Sequence, residues 1–391
     1  MADTIHSEHP VAGLLEKSAR GQSLYERYRA WRTAKIADPA FRRFAQRFFL
    51  TRPTANKNAN DLYALTSGFI HSQVLHACVE MGILHILRDQ QRTTEDLADR
   101  LCVIPERLLA LLNSAAAIGL VRETKSGLWA LDDTGAVVES NGGIRALIQH
   151  HQDVYEDLAD LPGLLRYPSR ETRTAKVWSY VRAEGGPANV STRNAERYSE
   201  LMRVTQDMVI DGVLDAYNFS QHRALLDVGG GSGAFVEALH SRFPELGLGL
   251  IDLPPVAKEA ETRLTRIGLQ GKIECHGGSF FDAELASEPD CYSLVRVLYD
   301  HDDDAALIIL KNVRRAMTNG DTLLIAEPMD GNSPGEQLAG AYFHMYLLAM
   351  RSGKCRTAAR HIELLRAAGF KNTRKIKTNL PVATGLIVAR L

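Results

Sequence analysis

The chain has 391 residues, enough for two or three domains, and its apolar share of 45% allows a sizeable core. A formal net charge of −1 excludes a general nucleic-acid binder, whose phosphate contacts require an excess of Lys and Arg. Five cysteines (Cys78, Cys102, Cys275, Cys291, Cys355) form no C-x-x-C pair, no secretory leader pattern opens the chain, and no apolar run is long enough to span a bilayer; reduced thiols and a cytoplasmic location are expected.

Residues 1–16 are polar and expected to be loose. From Lys17 to Asn60 there are eleven Lys/Arg against two Asp/Glu, with aromatics interleaved. Phe41, Phe44 and Phe48 share one helical face, flanked by Arg42, Arg43 and Arg47. Such a helix either packs its aromatics on the body or a second copy, or lies on an anionic membrane surface. Residues 1–60 are therefore set apart as a basic aromatic extension.

Asp61 to Leu87 carries helical periodicity. Thr93 caps a short helix, Pro105 opens another over Glu106–Ile118, and Val121–Ala130 reads as a hairpin. This order is that of a winged helix, assigned to residues 61–150. The second of these helices carries Arg107 as its one basic residue, too few for a helix that seeks phosphates. The region is read as a dimerisation module, making the protein a homodimer, and not as a DNA reader. A winged-helix, ligand-sensing regulator is the rival from another functional class.

Gly142 to Asp215 reads as helical around a looser Pro/Gly stretch, and Tyr198–Tyr217 as an amphipathic helix covering a ligand. After it comes Leu225-Leu226-Asp227-Val228-Gly229-Gly230-Gly231-Ser232-Gly233: a strand, a glycine turn and a helix start. Bare glycine backbone at Gly229 and Gly231 permits positive φ and close approach of a ligand. The spacing is not the dinucleotide G-x-G-x-x-G, and no Lys-Ser/Thr follows as in a phosphate-binding loop. Asp252 ends the second strand, Leu248–Ile251, where a carboxylate suits a ribose diol. Asp227 could hold a cationic amino-acid group. An acidic cradle without phosphate donors points to S-adenosylmethionine.

The rest alternates: strands at Ile273–His276, Tyr292–Leu298, Thr322–Ala326, Lys371–Lys377 and Thr384–Ala389, with helices between them at Val256–Ile267, Asp304–Met317 and Ala358–Gly369. That pattern is α/β, a Rossmann-like doubly wound sheet occupying residues 151–391. Strand ends converge on one crevice, bringing Asp227, Asp252, Ser279, Phe280, Tyr299 and Glu327 together. Phe280 either covers an adenine ring or is plain core. Arg296 reaches either a cofactor carboxylate or Asp227. The acids of Tyr299-Asp300-His301-Asp302-Asp303-Asp304 are read as helix caps and not as a metal site.

The glycine loop, Asp252-Leu253-Pro254, Gly278-Ser279-Phe280-Phe281, Val297-Leu298-Tyr299-Asp300, Glu327-Pro328 and Gly353-Lys354-Cys355-Arg356-Thr357 together resemble the S-adenosylmethionine-dependent O-methyltransferases of the caffeate/hydroxyindole type. Within them, the basic N-terminus and the run from Arg296 to Asp304 are most similar to bacterial carotenoid 1-O-methyltransferases. The resemblance implies methyl transfer to the tertiary hydroxyl of a 1-hydroxy-carotenoid, with another large hydrophobic substrate such as a polyketide phenol or a tetrapyrrole as the runner-up, and with Leu253 joining the cofactor contacts. It also implies departures. Tyr299 stands where the family has a His base, Cys355 where it has a supporting Glu, Ser279 where it has an Asp, and His344 where it has a substrate-pocket acid. Glu327 matches the family's other supporting Glu and joins the catalytic set, either fixing a His tautomer or capping a turn. A tertiary alcohol is not ionised beforehand, and a phenol near its usual pKa of about 10 is a poor base at neutral pH. Tyr299 is therefore expected to orient the hydroxyl, with His344, or else His301, taking the proton.

Overall fold

The computed structural model describes residues 23–176, 205–207, 209–281 and 284–391. The expected helix Tyr198–Tyr217 lies outside the described residues up to Val204 and again at Met208; residues 205–207 and 209–216 are helical. The chain forms two compact units, residues 1–74 and 75–391.

In the first unit, α1 (Leu24–Ala37) starts at a capping box in which the Ser23 hydroxyl accepts from Glu26 N–H. Asp38 caps α2 (Pro39–Arg47), and α3 (Arg52–Glu80) begins in this unit and ends in the second. Phe44, Phe49, Leu50, Tyr63, Leu65 and Phe69 of this unit are exposed.

In the second unit, Gly82 turns left-handed (φ 70°) and separates off α4 (Ile83–Asp89), so the continuous run expected to Leu87 is broken there. α5 (Thr94–Leu101), capped by Thr93, and α6 (Pro105–Ala117) follow. β1 (Val121–Glu123) and β2 (Trp129–Leu131) pair antiparallel. α7 (Asp133–Ser140), α8 (Gly142–Leu158) and α9 (Leu161–Arg166) complete the first half of the unit.

The second half holds a seven-stranded sheet. Its elements are β3 (Ala224–Val228), α10 (Ala234–Arg242), β4 (Gly247–Asp252), α11 (Pro254–Arg266), β5 (Ile273–Gly277), β6 (Cys291–Val295), α12 (Asp303–Ala316) and β7 (Thr322–Glu327). There follow β8 (Met329–Asp330), α13 (Pro334–Met350), β9 (Arg356–Thr357), α14 (Ala358–Ala367), β10 (Asn372–Ile376) and β11 (Gly385–Arg390). The strand order is β10-β11-β7-β6-β3-β4-β5, parallel from β7 to β5, with β11 and β10 antiparallel. The chain runs outward from β3 to β5, then crosses back to β6 on the other side of β3. A crevice opens at the carboxyl ends where that order reverses.

Side chains alternate along the strands. Leu225, Leu250 and Leu324 pack on one face, under α10 and α11. Leu226, Ile251 and Ile325 pack on the other, under α12 and α14. Each such buried aliphatic side chain is worth roughly 1.5–3 kcal/mol, which fixes the sheet and hence the crevice.

Candidate active site

The crevice begins at the glycine loop. Gly229, Gly231 and Gly233 all have positive φ (79°, 55° and 79°). A Cβ on Gly229 would lie 2.7 Å from Val297 Cγ2 and 3.5 Å from the Phe280 ring, whereas one on Gly231 would meet nothing within 4 Å. Bare backbone is thus required at the first and opens on free space at the second.

Asp252 ties the loop down. Its two carboxylate oxygens accept the N–H groups of Gly231 (2.8 Å) and Leu253 (2.7 Å). Burial raises its pKa, and the two backbone donors oppose that rise. Asp227 is buried at the end of β3. Ser293 donates to its Oδ1 at 2.6 Å, while Oδ2 has no hydrogen-bond partner among the described residues. Burial, with the charge of Asp252 nearby, pushes it up to about 7. An orphaned carboxylate oxygen beside bare glycine backbone suits a cationic ligand group. S-adenosylmethionine, with its ammonium and sulfonium, fits these donors and acceptors.

Phe280 lies against the loop, its ring edge-on to His301 at 5.6 Å. Ser279 Oγ accepts from Phe281 N–H at 3.2 Å and so closes a local turn. Leu253 is half-buried as the residue preceding α11.

β6 stops at Val295, not Leu298 as its apolar run suggested. Arg296 adopts φ 57°, and residues Leu298–Asp300 curl into a 3-10 turn. A left-handed residue cannot continue a β ladder, so the turn swings Tyr299 off the sheet. Two buried charged side chains clamp this turn. Glu327 Oε1 accepts from Val297 N–H (3.0 Å) and Leu298 N–H (2.7 Å). Arg356, fully buried, donates to the carbonyls of Leu298 and His301, both at 2.7 Å, and to Asp303 at 2.8 Å. A Cβ on Gly353 would lie 2.2 Å from the Tyr299 carbonyl oxygen. The motif around residue 353 therefore shapes the turn from beneath. Burial pushes Glu327 up to about 7, and its Oε2 has no partner among the described residues. Glu327 is thus a positioning residue for the turn.

Tyr299 is buried with Val154, Tyr346, Leu347, Met350 and Cys355. Burial raises its pKa above the usual phenol value, so it is a hydrogen-bond donor and not a base. Arg296 reaches it: Nη2 lies 3.4 Å from the hydroxyl, the guanidinium carbon 5.9 Å from the ring centre. Nη1 donates to Thr205 at 2.9 Å. Arg296 therefore reaches the phenol side of the crevice. The Cys355 thiol is pushed up to about 11 by burial and stays neutral.

His344 does not join this group. It is exposed, and its Nε2 lies 3.4 Å from Asp330. It stands one turn after Gly340, which also faces Asp330. Phe343, Tyr346, Leu347 and Met350 point the other way, towards Tyr299. The structure thus places His344, expected as proton acceptor, on the flank of α13 away from Tyr299 and beside Asp330. Asp302 caps α12 through Ala305 N–H at 2.9 Å, and Asp303 is bound by Lys354, Arg356 and Arg360. Those acids serve the fold.

Composition gave no sign of four further residues. On α8, His150 and His151 bond the hydroxyls of Tyr346 (3.0 Å) and Tyr342 (2.9 Å) on α13. The two phenol rings stack, with centres 5.7 Å apart.

A profile of the O-methyltransferase domain matches residues 168–371. The demethylspheroidene O-methyltransferase of Cereibacter sphaeroides is 36% identical over 349 residues, covering 89% of this chain and 91% of that protein. The chain belongs to the O-methyltransferase domain family. The Rhodobacter capsulatus demethylspheroidene O-methyltransferase is also 36% identical, over 88% of this O-methyltransferase and 85% of that one. Among solved structures, that of LaPhzM superposes with a TM-score of 0.69 at 26% identity, covering 85% of this chain and 98% of the other. Human N-acetylserotonin methyltransferase in complex with SAM gives a TM-score of 0.70 at 22% identity over 85% of this chain and 97% of the other, a likeness of fold.

Proposed function

We propose that this O-methyltransferase moves the methyl group of S-adenosylmethionine to the tertiary hydroxyl of a 1-hydroxy-carotenoid resembling demethylspheroidene. The relatives at 36% identity over most of the chain support that substrate. The observation that carries the reading is Tyr299: a buried, neutral phenol where general-base chemistry on phenolic substrates needs an imidazole. When bound, the donor supplies an electrophilic methyl carbon. Asp227, Gly229, Gly231, Asp252, Leu253, Ser279 and Phe280 form its cradle in this reading. Tyr299 and Arg296 orient the hydroxyl, and most of the rate comes from holding oxygen, carbon and sulfur in line.

The order α4, α5, α6, β1–β2 supports a winged-helix module, which we assign to homodimerisation. Exposed Phe44, Phe49 and Leu50 beside Arg42, Arg43 and Arg47 support peripheral contact with a membrane surface from the cytoplasmic side. An apolar substrate dissolved in that membrane gives the contact a use. Labelled S-adenosylmethionine incubated with a panel of hydroxylated carotenoids and apolar phenols tests the reading. Label in a carotenoid ether is expected; label only in phenols would overturn it.

A further inference from the structure

With a tertiary alcohol as substrate, the site needs somewhere for a proton to go. Tyr299 is a neutral phenol, Cys355 a neutral thiol, and His344 faces Asp330. Arg296 places a permanent positive charge beside Tyr299, and that charge also acts on Tyr342 and Tyr346. A second cation next to it is disfavoured. The proton must therefore move outward, away from Arg296.

Between α13 and α8 lies a hydrogen-bonded direction suited to this. Tyr346 shares the buried cluster with Tyr299, and Phe343 touches both Tyr299 (5.8 Å) and Tyr342 (4.9 Å) edge-on. Behind the stacked phenols stand the two imidazoles, each with Nε2 at hydrogen-bond distance from a phenol oxygen. Tyr342, Phe343, His150 and His151 are partly exposed.

We propose that the hydrogen-bonded pairs Tyr346–His150 and Tyr342–His151 are the proton acceptor of the methyl transfer. This rests on the carotenoid alcohol reading above. In the transfer an O–C bond forms to the methyl carbon and the S–C bond breaks, its electron pair staying on sulfur. As the O–C bond forms, the substrate oxygen gives its proton to a phenol oxygen in the same step. That phenol passes its own proton to imidazole Nε2, which becomes imidazolium. Two stacked phenols backed by adjacent imidazoles provide two parallel exits, one of which suffices for each turnover. Burial, then the neighbouring His150 and His76, hold His151 down to about 4, so it is neutral and able to accept at neutral pH. The hydroxyl becomes steeply more acidic as the O–C bond forms, so an imidazole of depressed basicity takes the proton within that step.

The same bonds could merely pin α8 to α13, and the test separates the two roles. Wild type, His150→Ala, His151→Ala and the double variant are assayed with labelled S-adenosylmethionine and a 1-hydroxy-carotenoid, with and without added imidazole. The expected result is a fall of roughly a hundredfold or more in kcat for the double variant, with much of the rate restored by imidazole. A double variant within about threefold of wild type overturns the relay. Should the double variant melt early, Tyr342→Phe with Tyr346→Phe keeps the stacked rings and removes only the hydroxyls; full activity there overturns the relay equally. A large loss that imidazole does not relieve in a folded double variant assigns the bonds to structure and overturns it too. A wild type that turns over phenols but no carotenoid alcohol overturns the substrate reading, and the relay with it.

Discussion

Glu327 Oε1 stands 2.7 Å from the backbone nitrogen of Leu298, and the same oxygen holds Val297 N–H. One carboxylate at the end of β7 therefore sets the turn that carries Tyr299, although it meets no hydrogen bond of the Tyr299 hydroxyl. Glu327→Ala should strand two buried donors, at a cost of about 2 kcal/mol or more. Chemical denaturation should show this, and Glu327→Gln, which keeps an acceptor oxygen, should lose much less.

The protonation of Glu327 and Asp227 makes stability depend on pH. Both are held at about 7 in the fold, from ordinary values of 4.5 and 3.8. Between those limits the folded chain keeps protons that the unfolded chain has released. Stability of the free protein should therefore be highest below about pH 4 from these two groups and decline as pH rises towards 7, levelling off above it. Denaturation midpoints from pH 4 to 8 check this, and the Glu327→Gln variant should show a shallower decline.

Asp252→Ala removes the acceptor of both Gly231 N–H and Leu253 N–H. Charge-assisted bonds of this kind are worth about 1.5–3 kcal/mol to the folded loop, so the variant should lose about that much stability and, with the loop untied, affinity for S-adenosylmethionine should fall. Calorimetry that found unchanged affinity would remove Asp252 from the cradle.

Gly229→Ala should cost more than Gly231→Ala. The first combines a positive φ with a clash on Val297, while the second suffers only the backbone strain. Expected penalties are about 2–4 kcal/mol and about 1–2 kcal/mol respectively. Comparison of the two melting curves, with donor affinity measured alongside, tests the ranking.

For the first unit, replacing Phe44, Phe49 and Leu50 together by Ser should reduce sedimentation with anionic vesicles, and added salt should weaken the wild-type binding. Equal sedimentation of the two proteins would leave these side chains to packing against another protein surface.

The glycine cradle was legible because its information is local. Asp227, the glycines and Asp252 lie at strand ends that apolar runs announce, and the register of β3 and β4 then brings them together. The alternation of helices and strands was equally local. The end of β6 was not, because Arg296 turns left-handed within a run of apolar residues and nothing in residue type marks it. His150 and His151 could not be read as chemistry either. They sit in a polar stretch, Gln149–Gln152, and take their meaning from Tyr346 and Tyr342, 196 and 191 residues further on. His344 shows the reverse: α13 is apolar on most sides, so its sequence does not say which flank faces the site, and Asp330 settles that.

Arg356 and Glu327 grip only main-chain atoms of the turn at 297–301. This main-chain grip is accordingly independent of the side chain mounted at position 299, whose ring is held separately by its own packing. Tyr299→His should therefore leave the backbone of this turn in place and change only the group it carries.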